Sequence, residues 1–209
     1  MFRIEICGGI ASGKTTLATE IAAVGNIELV LEKFEEVPFW KKFYENPEVY
    51  VFSKNISFQL FHADCVREAS ASRNGAVCDF AFLQDMSYGA IPPSRKEEVP
   101  ILRRLHRYLA KSFSQPAAIV HLSCPTLVQI ERIRLRGRAA ERSIGEDYLN
   151  DLNAAITKDV RALAKAKRKP LIIPRDTGAF KLEEYRGVAE QILAQVMDHI
   201  GALATSSRS

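Results

Sequence analysis

Residues 8–15 read Gly-Gly-Ile-Ala-Ser-Gly-Lys-Thr, and this octet limits the possible folds more than any other part of the chain. Its spacing is G-x-x-x-x-G-K-[ST]. The glycines of such a loop let successive backbone N–H groups turn inward around phosphate oxygens at the amino end of a helix. The flanks provide the required context. Residues 2–7, Phe-Arg-Ile-Glu-Ile-Cys, read as a short buried strand, and residues 14–23 read as a helix. Strand, glycine loop and helix in that order predict a bound nucleoside triphosphate. Gly8, Gly9, Ile10, Ala11, Ser12, Gly13, Lys14, Thr15 and Thr16 are the expected nucleotide-binding residues. Lys14 is expected to reach the β- and γ-phosphates, and the Thr15 hydroxyl to ligate Mg²⁺.

The rest of the chain fits a single α/β domain. Its 209 residues are enough for one full core, and 47% apolar with 26% charged residues is ordinary for a globular protein. A net charge of +4 is too mild to argue for a nucleic-acid polymer as partner. The four cysteines, Cys7, Cys65, Cys78 and Cys124, form no C-x-x-C pair and are expected to be reduced and buried. No apolar run approaches a membrane span, and the first residues already read as a core strand rather than a leader. A cytoplasmic enzyme without a membrane partner is the expectation.

Five apolar, β-rich runs alternate with helical patterns: 2–7, 27–31, 75–79, 117–122 and 170–174. This predicts a three-layer α/β/α fold around a five-stranded parallel sheet. Helices are expected at 38–45, 47–71, about 97–113, 125–136, 145–167 and about 181–200. Residues 1–200 read as one kinase-like domain, with a lid at about 136–144, and residues 201–209 as a disordered tail. In open parallel sheets the site collects at the carboxyl ends of the strands. That rule selects the glycine loop, the segment from Glu32, and Asp79 with its successors.

A kinase acting on an alcohol needs a general base near the γ-phosphate, cations for the developing charge, and an acceptor pocket. Glu32, at the end of the second strand, is the first candidate base, with Glu35 and Glu36 as competitors. Asp79, ending the third strand, either holds Mg²⁺ or caps the following segment. Residues 131–144 are rich in arginine, with Arg132 and Arg136 four apart and Arg138 just after Gly137. They read as a lid closing over phosphates or as a basic helix end matching the dipole; beside a phosphate loop, the lid is favoured.

These residues resemble the deoxyribonucleoside kinases, from residue 3 to about 155. Four blocks carry the resemblance: the glycine loop; Glu32 through Phe39 with Phe43-Tyr44-Glu45-Asn46-Pro47 and Tyr50-Val51-Phe52; Val77-Cys78-Asp79 with Asp85; and Arg132 through Glu141, then Ile144 and Tyr148 to Leu152. The last block is the most specific. The resemblance implies an ATP-dependent transfer to the 5′-hydroxyl of a small-molecule (deoxy)nucleoside. Glu32 would be the base, and Tyr44 and Glu141 would bond the sugar 3′-hydroxyl. Arg132 and Arg136 would reach the donor nucleotide, and Arg138 the transferred phosphoryl group. Asp85 and Asn55 would read the base, and Asp79 would lie near Mg²⁺. A homodimer is expected by family analogy alone.

Three positions depart from the family pattern. Asp79 is followed by Phe80 where an arginine is usual, Asn55 replaces a longer glutamine, and His62 stands where an arginine pairs with the Asp85 position. Asn55 and His62 are seven apart and share a helix face. If His62 faces Asp85 and donates to the base, nucleoside KM is expected to rise between about pH 6 and pH 8 as the imidazole loses its proton. Two other readings compete. One is a nucleoside monophosphate kinase of the thymidylate type, against which Glu32, Glu35 and Glu36 would repel an acceptor phosphate. The other is a regulatory phosphate-loop NTPase with a protein partner.

Overall fold

The computed structural model describes residues 2–167 and 169–206. Strand β1 (Arg3–Gly8) runs through the glycine loop into α1 (Lys14–Gly25), and β2 (Glu28–Val30) follows. Helices α2 (Trp40–Glu45) and α3 (Pro47–Ala71) precede β3 (Ala76–Cys78). Helices α4 (Gln84–Gly89) and α5 (Glu98–Leu109) precede β4 (Ala118–Ser123). Helices α6 (Thr126–Arg136) and α7 (Glu146–Ala164) precede β5 (Leu171–Asp176), and α8 (Tyr185–Ser206) follows. The strands form one sheet in the order β2-β3-β1-β4-β5, every neighbouring pair parallel. The expected five-stranded α/β/α architecture is therefore present.

Period-two alternation sorts the strand side chains between two helical layers. Ile4, Ile6, Val77, Val120 and Ile173 pack with Leu17 and Ile21 of α1 and Ile192 and Val196 of α8. On the other face, Ala76, Cys78 and Phe80 pack with Ala63 and Val66 of α3, while Cys7 and Ile119 pack with Leu152 and Ile156 of α7. Two charges lie inside β1. Arg3 and Glu5 are each 2% exposed and pair at 2.8 Å. Arg3 also donates to the Ser114 carbonyl at 2.8 Å, and Glu5 accepts the Phe82 N–H at 3.0 Å. Each buried charge thus has its partner and a further hydrogen bond, which is the condition for such a pair to persist inside a sheet. Through Phe82, Glu5 also fixes the chain leaving β3, where the site is built.

Several expectations are corrected. Strand β2 is only three residues long, so Glu32 lies two positions beyond it rather than at its end. Strand β3 ends at Cys78, with Asp79 immediately after it. Helix α4 was not anticipated; six residues are too few to show a helical period. The tail expected to be disordered from residue 201 instead continues α8 through Ser206, and 207–209 lie outside the described residues. Ala202, Leu203 and Ala204 are strong helix formers, so the helix runs on. All four cysteines are free as expected, but only Cys7 and Cys78 are buried, while Cys65 and Cys124 are half-buried.

Candidate active site

The glycine loop leaves the central strand of the sheet, and its conformation is held from outside. Gly13 takes φ 92°, a left-handed value that glycine adopts freely, and a Cβ there would also collide with the Tyr185 hydroxyl. Gln129 of α6 donates to the Ile10 carbonyl at 2.8 Å, and Thr177 to the Ser12 carbonyl at 2.7 Å. The Arg132 guanidinium bonds the Ala11 carbonyl at 3.4 Å and the Thr177 carbonyl at 2.8 Å. The Lys14 ammonium holds the Gly8 and Gly9 carbonyls at 3.0 and 2.9 Å. With its carbonyls engaged in this way, the loop meets an anion with amide N–H groups, backed by the positive end of α1.

A cleft open to solvent begins at Ile10, Ala11, Lys14 and Thr15. It continues past Glu32 and Asp79, is flanked by Tyr44, Arg136, Arg138 and Glu141, and reaches Asn55, His62 and Asp85 at its far end. Most candidates proposed from sequence therefore line one cavity. Gly8, Gly9, Ser12, Gly13, Thr16 and Arg132 do not line it. Arg132, expected to reach the donor nucleotide, bonds the Ala11 and Thr177 carbonyls and so braces the loop backbone. Glu35 and Glu36 are exposed on a 3-10 turn outside the cleft, which leaves Glu32 as the carboxylate in position.

Asp79 joins the two halves. One oxygen accepts the Thr15 hydroxyl at 2.8 Å, and the other accepts the Glu32 backbone N–H at 2.6 Å. Burial raises the Asp79 pKa, and these two hydrogen bonds oppose the shift. Burial likewise lowers the Lys14 pKa, against the attraction of Glu32 and Asp79. Thr15 and Asp79 suit Mg²⁺ as it is usually held beside phosphates, by one or two protein oxygens with the remainder of its shell from phosphate and water. Among the described residues no cluster of three or more His, Cys, Asp or Glu side chains could hold a metal without such help.

His62 is the hub of the acceptor end. Its Nδ1 lies 2.8 Å from Asp85 Oδ1 and its Nε2 lies 3.0 Å from Glu32 Oε1. The Phe80 ring stacks on it, with centroids 4.2 Å apart and planes at 12°. Burial lowers the His62 pKa, but the charge and hydrogen bond of Asp85 and the contacts of Glu32 outweigh it, pushing it up to about 10. Burial would raise the Glu32 pKa, but His62, with Lys14 and Arg138, reverses the sign and lowers it. Two expectations change here. Deprotonation of His62 does not fall between pH 6 and pH 8. Nor is Nδ1 open to a base, because it is bonded to Asp85, while Nε2 lies within ion-pair distance of Glu32 without a hydrogen bond. Phe80, where an arginine was expected, packs against the cation that does stand beside Glu32.

The arginine-rich segment folds as its glycine suggested. Gly137 ends α6 at φ 68°, with its N–H on the Ile133 carbonyl. Glu141 then pairs with both Arg136 and Arg138, the latter at 3.2 Å. The Arg138 guanidinium also lies 4.4 Å from the centroid of Phe34, two residues after Glu32. Tyr44 packs edge-on against Trp40 and Phe43 in the wall next to Glu141.

Among the lining residues that were not candidates, Gln84 and Lys54 carry polar groups into the site. Gln84 of α4 accepts the Gly8 N–H at 3.0 Å, tying the loop to the acceptor wall. Lys54 is 6% exposed, with its ammonium 4.2 Å from the Phe43 ring centroid and 5.5 Å from that of Tyr88. The spacing 51, 54, 55, 58, 62 along α3 contained the signal for Lys54, a lysine on the helix face it shares with Val51, Asn55, Phe58 and His62.

Comparison with known proteins agrees with this arrangement. The family model "deoxynucleoside kinase" matches residues 4–201. The deoxyguanosine kinase of Bacillus subtilis (strain 168) is 24% identical over 205 residues, covering 94% of this chain and 97% of that protein. A putative deoxynucleoside kinase of Frog virus 3 (isolate Goorha) is 30% identical over 168 residues, covering 75% and 81%. The fold is shared with the deoxyadenosine kinase of M. mycoides solved with dCMP and a flexible dCDP, at TM-score 0.81 and 19% identity over 92% of this chain and 99% of that one. The same enzyme with bound dATP superposes at TM-score 0.79 and 20% identity, with the same coverage. With a family match spanning nearly the whole chain and a cleft joining a phosphate loop to an acid-lined pocket, this protein is a nucleoside kinase of the deoxynucleoside kinase family.

Proposed function

We propose that the chain transfers the γ-phosphoryl group of ATP, with Mg²⁺, to the 5′-hydroxyl of a deoxynucleoside, leaving ADP and the nucleoside 5′-monophosphate. The observation that carries this reading is the continuity of the cleft from Lys14 and Thr15, past Glu32, to His62 and Asp85. Glu32 takes the 5′-hydroxyl proton as the oxygen attacks the γ-phosphorus and the bond to the β–γ bridging oxygen breaks. A lowered pKa keeps it ionised for that role. Lys14 and the loop N–H groups bind the β- and γ-phosphates, and Arg136 and Arg138 balance charge on the transferred group. Mg²⁺, held by Thr15 and Asp79, would neutralise charge on the β- and γ-oxygens. Tyr44 and Glu141 take the 3′-hydroxyl, and Asp85 and Asn55 the base.

The segment 136–144 acts as a lid over the phosphates, a reading supported by the Arg138 contact with Phe34. A homodimer through α3 and α5 belongs to the same proposal, supported by Leu60, Ile101 and Tyr108, each at least half exposed. So does a cytoplasmic setting; among the described residues no helix is long and apolar enough to cross a membrane. The test is a panel of nucleosides and nucleoside monophosphates incubated with ATP and Mg²⁺. Product is expected from deoxynucleosides and not from monophosphates; the opposite pattern would overturn the reading.

A further inference from the structure

At the far end of the cleft, Asp85 Oδ2 and the Lys54 ammonium have no hydrogen-bond partner among the described residues, and His62 Nε2 has only its ion-pair distance to Glu32. Asp85 is 5% exposed; its Oδ1 meets His62, while its Oδ2 is buried without a hydrogen bond. Lys54, one turn of α3 along from Phe58, is over nine-tenths buried and lines the same cavity. Its ammonium has no hydrogen bond or ion pair among the described residues and is surrounded by the rings of Phe43, Tyr88 and Phe58, the last at 5.9 Å. Ring faces recover only part of what water gave that charge. Its neighbour Asn55 is turned to Ser94, donating at 3.3 Å. Burial lowers the Lys54 pKa to about 8, the carboxylates of Asp85 and Glu32 opposing the shift, so the side chain is mainly cationic at neutral pH.

We propose that Lys54 is a specificity-determining residue that donates to the exocyclic oxygen of the bound base, selecting nucleosides with a lactam edge, such as guanine, hypoxanthine, thymine or uracil. This rests on the nucleoside-kinase reading above. An ammonium only donates and a carboxylate only accepts. A lactam edge places a carbonyl beside a ring N–H, so the oxygen meets Lys54 and the N–H meets Asp85 Oδ2. Adenine and cytosine put an amino group where the carbonyl stands, and its hydrogens would face the ammonium. An unpaired buried charge is what a site uses to reject the mismatched analogue.

The experiment compares the protein with Lys54→Met, which keeps length without charge, and with Lys54→Gln, which keeps a neutral donor. Deoxyguanosine, thymidine, deoxyadenosine and deoxycytidine are tested both for turnover with ATP and Mg²⁺ and for binding by calorimetry. The unaltered protein is expected to prefer the first two. In Lys54→Met the ratio of kcat/KM between lactam and amino bases should fall by about tenfold to a hundredfold, carried by KM, as for a lost hydrogen bond to a charged group. Lys54→Gln should fall between. An equal loss on all four nucleosides, or an initial preference for amino bases, would overturn the proposal. If nucleosides bind with the lactam preference but none is phosphorylated, the kinase reading fails and the Lys54 assignment stands; if none binds, both fail.

Discussion

The two ends of the cleft are built from different materials. At the phosphate end the wall comes from one short stretch of chain, the glycine loop, through Ile10, Ala11, Lys14 and Thr15, and distant side chains such as Gln129 and Thr177 brace its backbone. At the other end the lining is gathered from many elements: Glu32, α2, α3, the chain after β3, α4, the end of α6 with the segment after it, and Tyr148 of α7. A backbone cradle depends on glycine spacing and the helix dipole, so it tolerates little change. A side-chain pocket can exchange one cation for another. Here His62 and Phe80 occupy positions where the family resemblance led us to expect arginines, and the altered pocket still pairs its buried acids.

Lys14→Ala should have the largest effect, lowering kcat by about 10³-fold or more, since it removes the ammonium that sits in the loop. A variant that keeps most of its kcat would remove the donor end from the comparison. Next, Glu32→Gln should lower kcat by roughly 10²–10³-fold with little change in nucleoside KM, as expected for loss of a general base. Steady-state kinetics at saturating ATP measures both.

His62→Ala addresses the acceptor end. It leaves Asp85 buried without its cation, and a stability loss of about 3–5 kcal/mol is expected in urea unfolding. The pH dependence has a definite sign. The folded pKa of about 10 lies above the ordinary 6.5, so the contribution is complete below pH 6.5 and is lost as pH rises towards 10. The stability difference between the parent and His62→Ala should therefore shrink across that window, and nucleoside KM should show no His62 titration between pH 6 and 8. A difference that stays constant from pH 6 to pH 10 would show that His62 is neutral in the fold.

Tyr44→Phe should be milder, reducing the preference for a deoxynucleoside over its dideoxy analogue by about tenfold. Glu141→Gln should do the same, with an added loss of kcat because Arg136 and Arg138 lose their carboxylate. Unchanged discrimination in both would remove the sugar contact from this wall. The smallest effect is expected at Glu35→Gln and Glu36→Gln, which should stay within about twofold of the parent because both side chains are exposed and away from the cleft.

The glycine loop, the alternation that gives a parallel sheet and the glycine stop before Arg138 were all legible locally, because each depends on residues a few positions apart. Glu32 was legible as a strand-end acid even though β2 stops two residues earlier. The bonds of Arg132 to the Ala11 and Thr177 carbonyls were not legible, because spacing from Arg136 says nothing of which backbone groups a guanidinium meets. Helix α4 was invisible for its shortness, and with it the approach of Gln84 to Gly8.

By itself, then, the sequence determined a phosphate loop on the first strand of an α/β sheet and offered a candidate base and a candidate acid after the third strand, since propensity, alternation and motif spacing are properties of neighbouring residues. Only the tertiary structure decided that His62 stands between Glu32 and Asp85, that Phe80 stacks on it, and that Lys54 lies among aromatic rings with no ion pair among the described residues. Those facts are distances between elements far apart in the chain, and buried charge is set by which groups meet, not by which residues adjoin.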